Sequence, residues 1–176
     1  YDWTGNFWVQ RGNDIDGESA GDYSGRSVSL SSDGNTVAIG ATGNDDNGSN
    51  SGHVRIYDWT GNFWVQRGND IDGEAAYDYS GHSISLSADG NTVAIGALYN
   101  DGNGTNSGHV RIYNWNGSSW IQRDQDIDGE AAYDYSGRSV SLSSDGNTVA
   151  IGANGNDGNG TNSGHVRVYD LSSSCA

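Results

Sequence analysis

Hydrophobic and polar residues alternate in four short runs that recur along the chain. Such alternation is typical of β-strands with one buried face. In their first copies the runs read SVSLS at 27–31, TVAIG at 36–40, HVRIY at 53–57 and FWVQR at 63–67. The first two runs are linked by SSDGN, whose Asp-Gly pair favours a hairpin. The pattern predicts an all-β fold without helical periodicity, in which each copy has four antiparallel strands: A (28–31), B (36–41), C (53–58) and D (63–67).

The same pattern is written three times at a constant offset. The stretch SVSLSSDGNTVAIGA at 27–41 returns unchanged at 139–153, and Tyr1 returns as Tyr57 and Tyr113. A fixed period of about 56 residues is typical of propellers, solenoids and other repeat architectures. The period divides the chain into repeat 1 (1–56), repeat 2 (57–112), repeat 3 (113–168) and a C-terminal remnant (169–176).

Composition narrows the classes of partner. The formal net charge is −15, and all eight cationic side chains are arginines. The negative electrostatic potential of such a chain disfavours binding to nucleic acid and to anionic membrane surfaces. We expect no membrane insertion, because every apolar run is too short to span a bilayer. The single cysteine, Cys175, can form neither a disulfide within this chain nor a cysteine-based metal site. Because methionine is absent, we expect a processed product or a piece of a longer protein.

The order of motifs within each repeat resembles the FG-GAP repeat, the blade of integrin-type β-propellers. The matching segments are YSGRSVSLS, TVAIGA, GHVRIYDW and the Trp-x-Gln of strand D. The resemblance implies four-stranded propeller blades and an extracellular or cell-surface location. A closed propeller has about four to eight blades, whereas this chain has three repeats. Three-unit folds, the β-trefoil and the β-prism, therefore remain as alternatives.

One element of the family pattern is missing. The resemblance would place a calcium loop of the form Asp-x-Asp-x-Asp-Gly between strands A and B. This chain has a single carboxylate there in each repeat, namely Asp33, Asp89 and Asp145. Calcium takes about six to eight oxygen ligands. We therefore expect these aspartates to stabilise the turn instead of binding an ion.

Antiparallel topology predicts that the B–C and D–A connections share one face, which also carries most of the acidic residues. In the D–A connection the sequence DIDGE places oxygen ligands at alternating positions before a glycine, a partial echo of calcium loops. Calcium is the candidate cation, and a solvated turn is the alternative. The candidate metal ligands are Asp14, Asp16, Glu18, Asp70, Asp72, Glu74, Asp126, Asp128 and Glu130.

The same face carries two further sets of candidate sites. Tyrosines near the start of strand A could contact a ligand; they are Tyr23, Tyr77, Tyr79, Tyr133 and Tyr135. Asn-x-Ser/Thr triplets match the N-glycosylation pattern and begin at Asn47, Asn103, Asn116 and Asn159, of which Asn116 belongs to a C–D turn. We expect glycosylation if the chain passes through a eukaryotic secretory pathway.

No arrangement of residues points to catalysis. His53, His109 and His165 recur in strand C, where we expect them to bond loop carbonyls instead of acting as bases. The fourth histidine, His82, replaces an arginine found in the other repeats. A triplicated asymmetric active site would be unusual. We therefore expect a non-enzymatic protein.

The sequence predicts an adhesive or structural role at the cell surface or outside the cell. Alternating Val, Leu and Ile residues of strands A, B and C should pack between sheets, which leaves an apolar face open at each end of a three-blade array. The array is expected to continue into a second copy of the chain, as a ring or filament, or into further blades of a longer chain. The alternative is a lectin with one polysaccharide-binding site per repeat.

Overall fold

The computed structural model describes residues 2–172, and all regular secondary structure in that range is β-strand. The strands of the first half are β1 (Asp2–Trp3), β2 (Trp8–Val9), β3 (Ser24–Leu30), β4 (Thr36–Ala41), β5 (His53–Trp59), β6 (Trp64–Gln66) and β7 (Ile71–Asp72). The remaining strands are β8 (Ser83–Leu86), β9 (Thr92–Ala97), β10 (His109–Trp115), β11 (Trp120–Gln122), β12 (Ile127–Asp128), β13 (Ser136–Leu142), β14 (Thr148–Ala153) and β15 (His165–Asp170). A membrane-spanning helix does not occur between residues 2 and 172. Cys175 lies outside the described residues.

The strands form one hairpin and three antiparallel sheets. The first sheet has the order β3-β4-β5-β6 and the second the order β8-β9-β10-β11, while β13, β14 and β15 form the third. These strands correspond to A, B, C and D, so the predicted meander is confirmed. Each of the first two sheets takes its D strand from the repeat that follows. The sheets are therefore offset from repeats counted from Tyr1.

The DIDGE segment is partly strand, in contrast to the turn expected from its sequence. Strand β7 lies inside this segment and pairs with the start of β5, with Val54 opposite Ile71 and His53 opposite Asp72. Strand β12 pairs with β10 in the same way. Strand β7 continues strand D after the interruption between β6 and β7. Its two residues alternate in orientation, because the isoleucine side chain faces the sheet interior while the aspartate faces out. The interpretation as a turn is wrong at these residues.

The two ends of the chain hold complementary parts of a blade in separate sheets. Strands β1 and β2 form a hairpin equivalent to the ends of C and D, since Asp2 pairs with Val9 as Asp58 pairs with Val65. The third sheet consists of A, B and C only. These two parts do not pair with each other within the described residues.

The core lies between neighbouring sheets. Ile56 and Val54 of the first sheet pack against Leu86, Val93 and Ile95 of the second. A second cluster joins the second and third sheets; it comprises Ala94, Val110, Ile112, Val149 and Ile151. The predicted core positions are therefore buried throughout the middle sheet.

At the two ends of the array the core prediction is wrong for individual residues. Val28 and Leu30 of the first sheet are exposed, and so are Val166 and Val168 of the third. The physical reason is that a core position of this array is buried only where another sheet stacks on it. Between residues 2 and 172, no sheet covers these two faces.

Small residues allow the sheets to approach closely. The hydroxyl of Ser27 donates a hydrogen bond of 2.6 Å to the carbonyl oxygen of Gly81 in the next sheet. A Cβ atom on Gly40 would lie 2.2 Å from that same oxygen. The backbone amide of Leu86 similarly donates to the hydroxyl of Ser29 at 2.9 Å. The Ser and Gly positions that alternate with the apolar ones thus form a polar seam between blades.

Candidate functional site

The B–C and D–A connections meet on one face, which we call the loop face. The backbone amides of Tyr79 and Ser80 donate hydrogen bonds to the carbonyls of Asn50 and Ser51, at 3.1 and 2.9 Å. These bonds join the D–A connection before the second sheet to the B–C connection of the first. They place two candidate sites side by side: an acidic cluster and a cleft lined by tyrosines.

The acidic cluster contains a histidine and carboxylates that lie far apart in the sequence. The Nδ1 atom of His53 lies 3.8 Å from a carboxylate oxygen of Glu18 and 3.8 Å from one of Asp70. The second copy has the same arrangement, with His109 3.8 Å from Glu74 and 3.7 Å from Asp126. We call these groups site 1 and site 2. Each site combines a glutamate from the connection before a sheet with two residues of that sheet, namely a histidine of strand C and an aspartate that follows strand D.

The third copy, which we call the half-site, takes its aspartate from a different position. His165 lies 3.6 Å from Glu130, and Asp134 is the third nearby group. Within the described residues, no copy of Asp70 and Asp126 accompanies this group. Site 1, by contrast, has a fourth member, because Asp46 brings a carboxylate within 4.8 Å of the other ligand atoms. The equivalent of Asp46 is Gly102 in repeat 2.

The central histidines are buried and have unsatisfied nitrogens. His53 and His109 are 0% and 1% exposed, and neither ring nitrogen of either residue has a hydrogen-bond partner among the described residues. Burial lowers the pKa of His109 to about 4, and the neighbouring Arg111 acts in the same direction. This imidazole is therefore neutral at pH 7. The expectation that these histidines bond loop carbonyls is wrong, because Nδ1 faces carboxylates.

Arginine and glutamine side chains orient the carboxylates. One oxygen of Glu18 lies 3.5 Å from the guanidinium of Arg55, while the other faces His53. One oxygen of Asp70 accepts a hydrogen bond from Gln66, while the other faces His53. Site 2 repeats both contacts, with Arg111 beside Glu74 and Gln122 beside Asp126. Each carboxylate therefore keeps one oxygen free and directed at the imidazole.

The remaining predicted ligands lie outside these sites. Asp16, Asp72 and Asp128 contribute their backbone carbonyls, which accept hydrogen bonds from Arg55, Arg111 and Arg167 respectively. Asp14 is exposed and accepts a hydrogen bond from Gln10 at 2.7 Å. Among the described residues, a site built from one DIDGE segment alone does not form, because Asp70 joins Glu18 of the preceding repeat in site 1 whereas Glu74 joins Asp126 of the following repeat in site 2.

Glu74 and Asp72 on the loop face hold their protons more strongly than isolated carboxylates do. Burial raises the pKa of Glu74, and the charge of Asp126 adds to the effect. The pKa of Asp72 is also raised, first by burial and then by Asp70. Like charges gathered in a poorly solvated place favour either protons or a bound cation.

The tyrosine cleft lies between the first two sheets. A cleft of about 580 Å³ is lined by Tyr23, Ser24, Gly25, Arg26, Thr42, Tyr79, His82 and Tyr99. The rings of Tyr79 and Tyr99 meet edge to face at 5.3 Å, and Tyr99 meets Tyr135 at 5.8 Å. Tyr99 therefore joins the tyrosines of two blades. The repeat pattern gives no sign of Tyr99, because repeats 1 and 3 have glycine at this position.

The predicted tyrosines share an uncommon backbone conformation. All five of them have positive φ angles; Tyr77 is at 69° and Tyr79 at 54°. Bulky residues rarely adopt this region, which costs about 1–2 kcal/mol for a residue with a Cβ atom. Tyr23, Tyr77 and Tyr133 are exposed, whereas Tyr79 and Tyr135 are half-buried. The backbone turn thus presents aromatic rings to solvent along the loop face.

The glycosylation triplets differ in what their amides do. The side-chain nitrogen of Asn47 donates to the carbonyls of Gly73 and Glu74 at 2.7 and 3.1 Å, and Asn103 repeats the pair of bonds one repeat later. An amide that carries a sugar keeps one N–H and can keep only one of these bonds. Asn116 instead uses its oxygen, which accepts from the backbone of a C–D turn. Occupancy at these residues and at Asn159 stays a prediction.

The aspartates of the A–B turns bond their own turn. One oxygen of Asp33 accepts from the hydroxyl of Ser31 at 2.7 Å and from the amide of Asn35 at 3.0 Å. The bond from Ser31 and those from Asn35 lower the pKa of Asp33 to about 2. Asp89 and Asp145 make the same bonds. These hydrogen bonds give the single aspartate of each A–B turn a structural role.

Comparisons with known proteins agree on the repeat and the fold. The FG-GAP repeat pattern matches the chain three times, at residues 15–57, 71–113 and 127–169. No protein of curated function shows significant sequence similarity to the chain.

Two solved structures are similar to the chain over most of its length. Hydrazine synthase of Kuenenia stuttgartiensis superposes with a TM-score of 0.53 and 15% identity, over 93% of this chain and 36% of that one. The periplasmic gluconolactonase of Pseudomonas aeruginosa gives a TM-score of 0.54 and 16% identity, over 82% of this chain and 38% of that one. The fold is that of β-propeller blades. The chain spans little more than a third of the length of either structure.

Proposed function

The chain belongs to the FG-GAP repeat family, and we propose that it is a non-enzymatic adhesive or structural protein of the cell surface or extracellular space, which associates with itself head to tail through its terminal blades. The strongest support is the match between its two open faces. Each corresponds, position by position, to a face that is buried between sheets elsewhere in the chain.

The exposure of equivalent residues makes this match quantitative. Leu30 in the first sheet is 59% exposed, whereas its copy Leu86 in the second sheet is 7% exposed. Val168 in the third sheet is 65% exposed, whereas its copy Ile56 in the first is 1% exposed. A contact between the third sheet of one chain and the first sheet of another would therefore bury the same residues as the internal contacts. Exposed apolar patches of this kind normally mark an interface.

Unpaired strand edges support the same arrangement. Among residues 2–172, strand β15 is a C strand without a D strand beside it. Residues 15–16 are the sequence copy of β7, and within the described part of the chain they pair with no C strand. In the internal sheets Val54 pairs with Ile71 at this place. The equivalent intermolecular pair is Val166 with Ile15 of the next copy. Head-to-tail contacts that follow such a register give rings or filaments.

The location outside the cytoplasm rests on coarser support. The family resemblance implies an extracellular or cell-surface location, and one of the structural neighbours is a periplasmic protein. The charge of −15 keeps the protein soluble and disfavours binding to nucleic acid. Further blades of a longer chain could cover the same faces.

Sedimentation of the chain at micromolar concentration tests this proposal. We expect oligomers whose size rises with concentration, and we expect Leu30→Asp or Val168→Asp to give folded monomers. Val65→Asp, at an exposed position of the outer strand β6, is the matched control and should leave association unchanged. A wild-type chain that remains a folded monomer would overturn the proposal.

A second candidate function is the binding of acidic polysaccharide at the tyrosine cleft. The cleft combines aromatic rings with the guanidinium of Arg26 and with His82, and aromatic faces pack against sugar rings. The pKa of His82 is lowered by burial and then by Arg26 and Arg138, so basic side chains of all three repeats lie near one another.

Glycan-array binding distinguishes the two functions. Polysaccharide recognition predicts binding of uronic-acid or sulfated glycans that is lost in Tyr79→Ala and in Arg26→Ala. Tyr57→Ala, outside the cleft, is the control. Association without any glycan binding would favour the structural role alone.

A further inference from the structure

The geometry points to a pair of transition-metal sites between repeats, in which His53 with Glu18 and Asp70, and His109 with Glu74 and Asp126, each bind a divalent ion such as Zn²⁺. This inference does not depend on the proposed self-association. The proposed sites also differ from the calcium sites expected from the DIDGE segments, because each of them includes an imidazole nitrogen as a ligand.

Burial of the histidines is the first argument. An acidic cluster alone is common on protein surfaces, but these clusters surround imidazoles that are 0% and 1% exposed. The ring nitrogens lack hydrogen-bond partners among residues 2–172. A buried polar group without a partner destabilises the folded state. A metal ion bound to Nδ1 would remove this destabilisation for the nitrogen that faces the carboxylates.

The distances fit an ion between the ligands. Two ligand atoms that are each about 2.0 Å from a tetrahedral zinc ion lie about 3.3 Å apart. In site 1 the Nδ1 atom of His53 is 3.8 Å from each carboxylate, and in site 2 the corresponding distances are 3.8 and 3.7 Å. These distances are too long for hydrogen bonds. A contraction of about 0.5 Å would bring all three ligands to zinc.

The surrounding side chains resemble the outer shell of a metal site. Ligating carboxylates are usually held by hydrogen bonds to their second oxygen. Here Gln66 holds Asp70 and Gln122 holds Asp126, while Arg55 and Arg111 lie beside the glutamates. The free oxygens all converge on Nδ1.

The ligand types select the class of metal. Calcium and magnesium prefer oxygen ligands alone, whereas imidazole with carboxylate suits zinc and its neighbours in the first transition series. Sites with four protein ligands are typical of structural zinc, and sites with three leave a position for water. Site 1, with Asp46, has four candidate ligands, and site 2 has three. We therefore expect site 1 to bind more tightly.

The two sites would join segments that the chain brings together only on folding. Glu74 belongs to the connection that enters the second sheet, His109 to strand β10 and Asp126 to the turn before β12. The ion would tie each connection to the sheet that follows it. Binding only to the folded state raises the unfolding temperature.

Titration of Zn²⁺ into chelator-treated protein, in competition with a zinc-sensitive dye, tests the inference. We expect two equivalents of tight binding per chain and a rise in melting temperature. The double variant His53→Gln with His109→Gln should lose both effects. His82→Gln, which changes the histidine of the tyrosine cleft, should keep both. Co²⁺ should give the absorption bands of a low-coordinate site with nitrogen and oxygen ligands.

Further variants protect the test against misfolding and calcium binding. Glu74→Gln and Asp126→Asn change half-exposed side chains, so they should preserve the circular dichroism spectrum while removing one zinc equivalent. Asp46→Gly copies repeat 2 into repeat 1 and should weaken site 1 alone. Absence of zinc binding, zinc binding that survives both histidine changes, or preferential Ca²⁺ binding would each overturn the inference.

Discussion

The indole N–H of Trp64 donates a hydrogen bond of 3.0 Å to the backbone carbonyl of Arg11, 53 residues earlier in the chain. Trp120 makes the same bond to Arg67 at 2.8 Å. The guanidinium of Arg67 also lies over the Trp115 ring, 4.9 Å from its centroid, and bonds the A–B turn of the second sheet. A tryptophan and an arginine one repeat apart thus link the outer strands of adjacent blades.

The first prediction follows from this link. Trp120→Phe keeps most of the packing but leaves the Arg67 carbonyl without its donor, so we expect a loss of about 1–2 kcal/mol in the free energy of unfolding. Urea denaturation measures it. Trp8→Phe is the matched control, because the Trp8 indole makes no such bond with residues 2–172. Equal losses in the two variants would contradict the assigned role.

The second prediction concerns the core. Ile95 is buried between the first two sheets, and Ile95→Asp would place a carboxylate there without a partner, at a cost of several kcal/mol. We expect the variant to lose cooperative unfolding, as measured by near-ultraviolet circular dichroism on heating. Ile121→Asp, at an exposed position of β11, should melt like the parent. A folded Ile95→Asp variant would refute the strand alternation.

The third prediction concerns acid stability. Hydrogen bonds from Ser87 and Asn91 lower the pKa of Asp89 in the folded state. A carboxylate with a lowered folded pKa contributes stability above its unfolded pKa of about 3.9, and this contribution is lost as the pH falls through the folded value. Asp89→Asn should therefore flatten the decline of unfolding free energy between about pH 4 and pH 2. Asp2→Asn controls for the loss of one charge. An unchanged slope in Asp89→Asn would contradict the prediction.

The fourth prediction concerns backbone strain on the loop face. Tyr77 has a φ angle of 69°, and repeat 1 has Gly21 at the same position with a φ of 97°. Tyr77→Gly should raise the free energy of unfolding by about 1 kcal/mol, because glycine adopts this conformation without steric cost. Ala76→Gly, in the same loop but without a positive φ angle, should lower it. Guanidinium denaturation distinguishes these outcomes; a fall in both variants would contradict the strain argument.

Much of the fold was predictable because the repeat writes each strand three times. Period-two alternation identifies A, B, C and D, and the Asp-Gly turn identifies the A–B hairpin. Strand β7 was missed, since Ile71–Asp72 is too short for alternation to be read and is flanked by turn residues. The burial of strand A could be predicted for Leu86 but not for Leu30, because burial depends on the sheet that stacks on it.

The proposed metal sites were harder to predict because their members come from three places in the chain. Glu18, His53 and Asp70 are separated by 35 and 17 residues, and the second copy has the same spacings. This constant spacing does not by itself identify a site, because in a tandem repeat any two residues recur at the same separation in each copy. Only the pairing of β7 with β5 reveals that Asp70 faces His53. Tyr99 was hard to predict for a different reason, since this tyrosine is present in repeat 2 alone.

The half-site of the third sheet has a consequence for the stoichiometry of metal and protein. Among residues 2–172, Glu130 and His165 lack the aspartate that Asp70 and Asp126 give to sites 1 and 2, and Asp14 is the copy of that aspartate in repeat 1. In the proposed head-to-tail contact, Asp14 of one copy would reach His165 of another. An isolated chain would then hold two ions, and each chain within a polymer would hold three. By thermodynamic linkage, zinc would lengthen the polymer and chelation would shorten it.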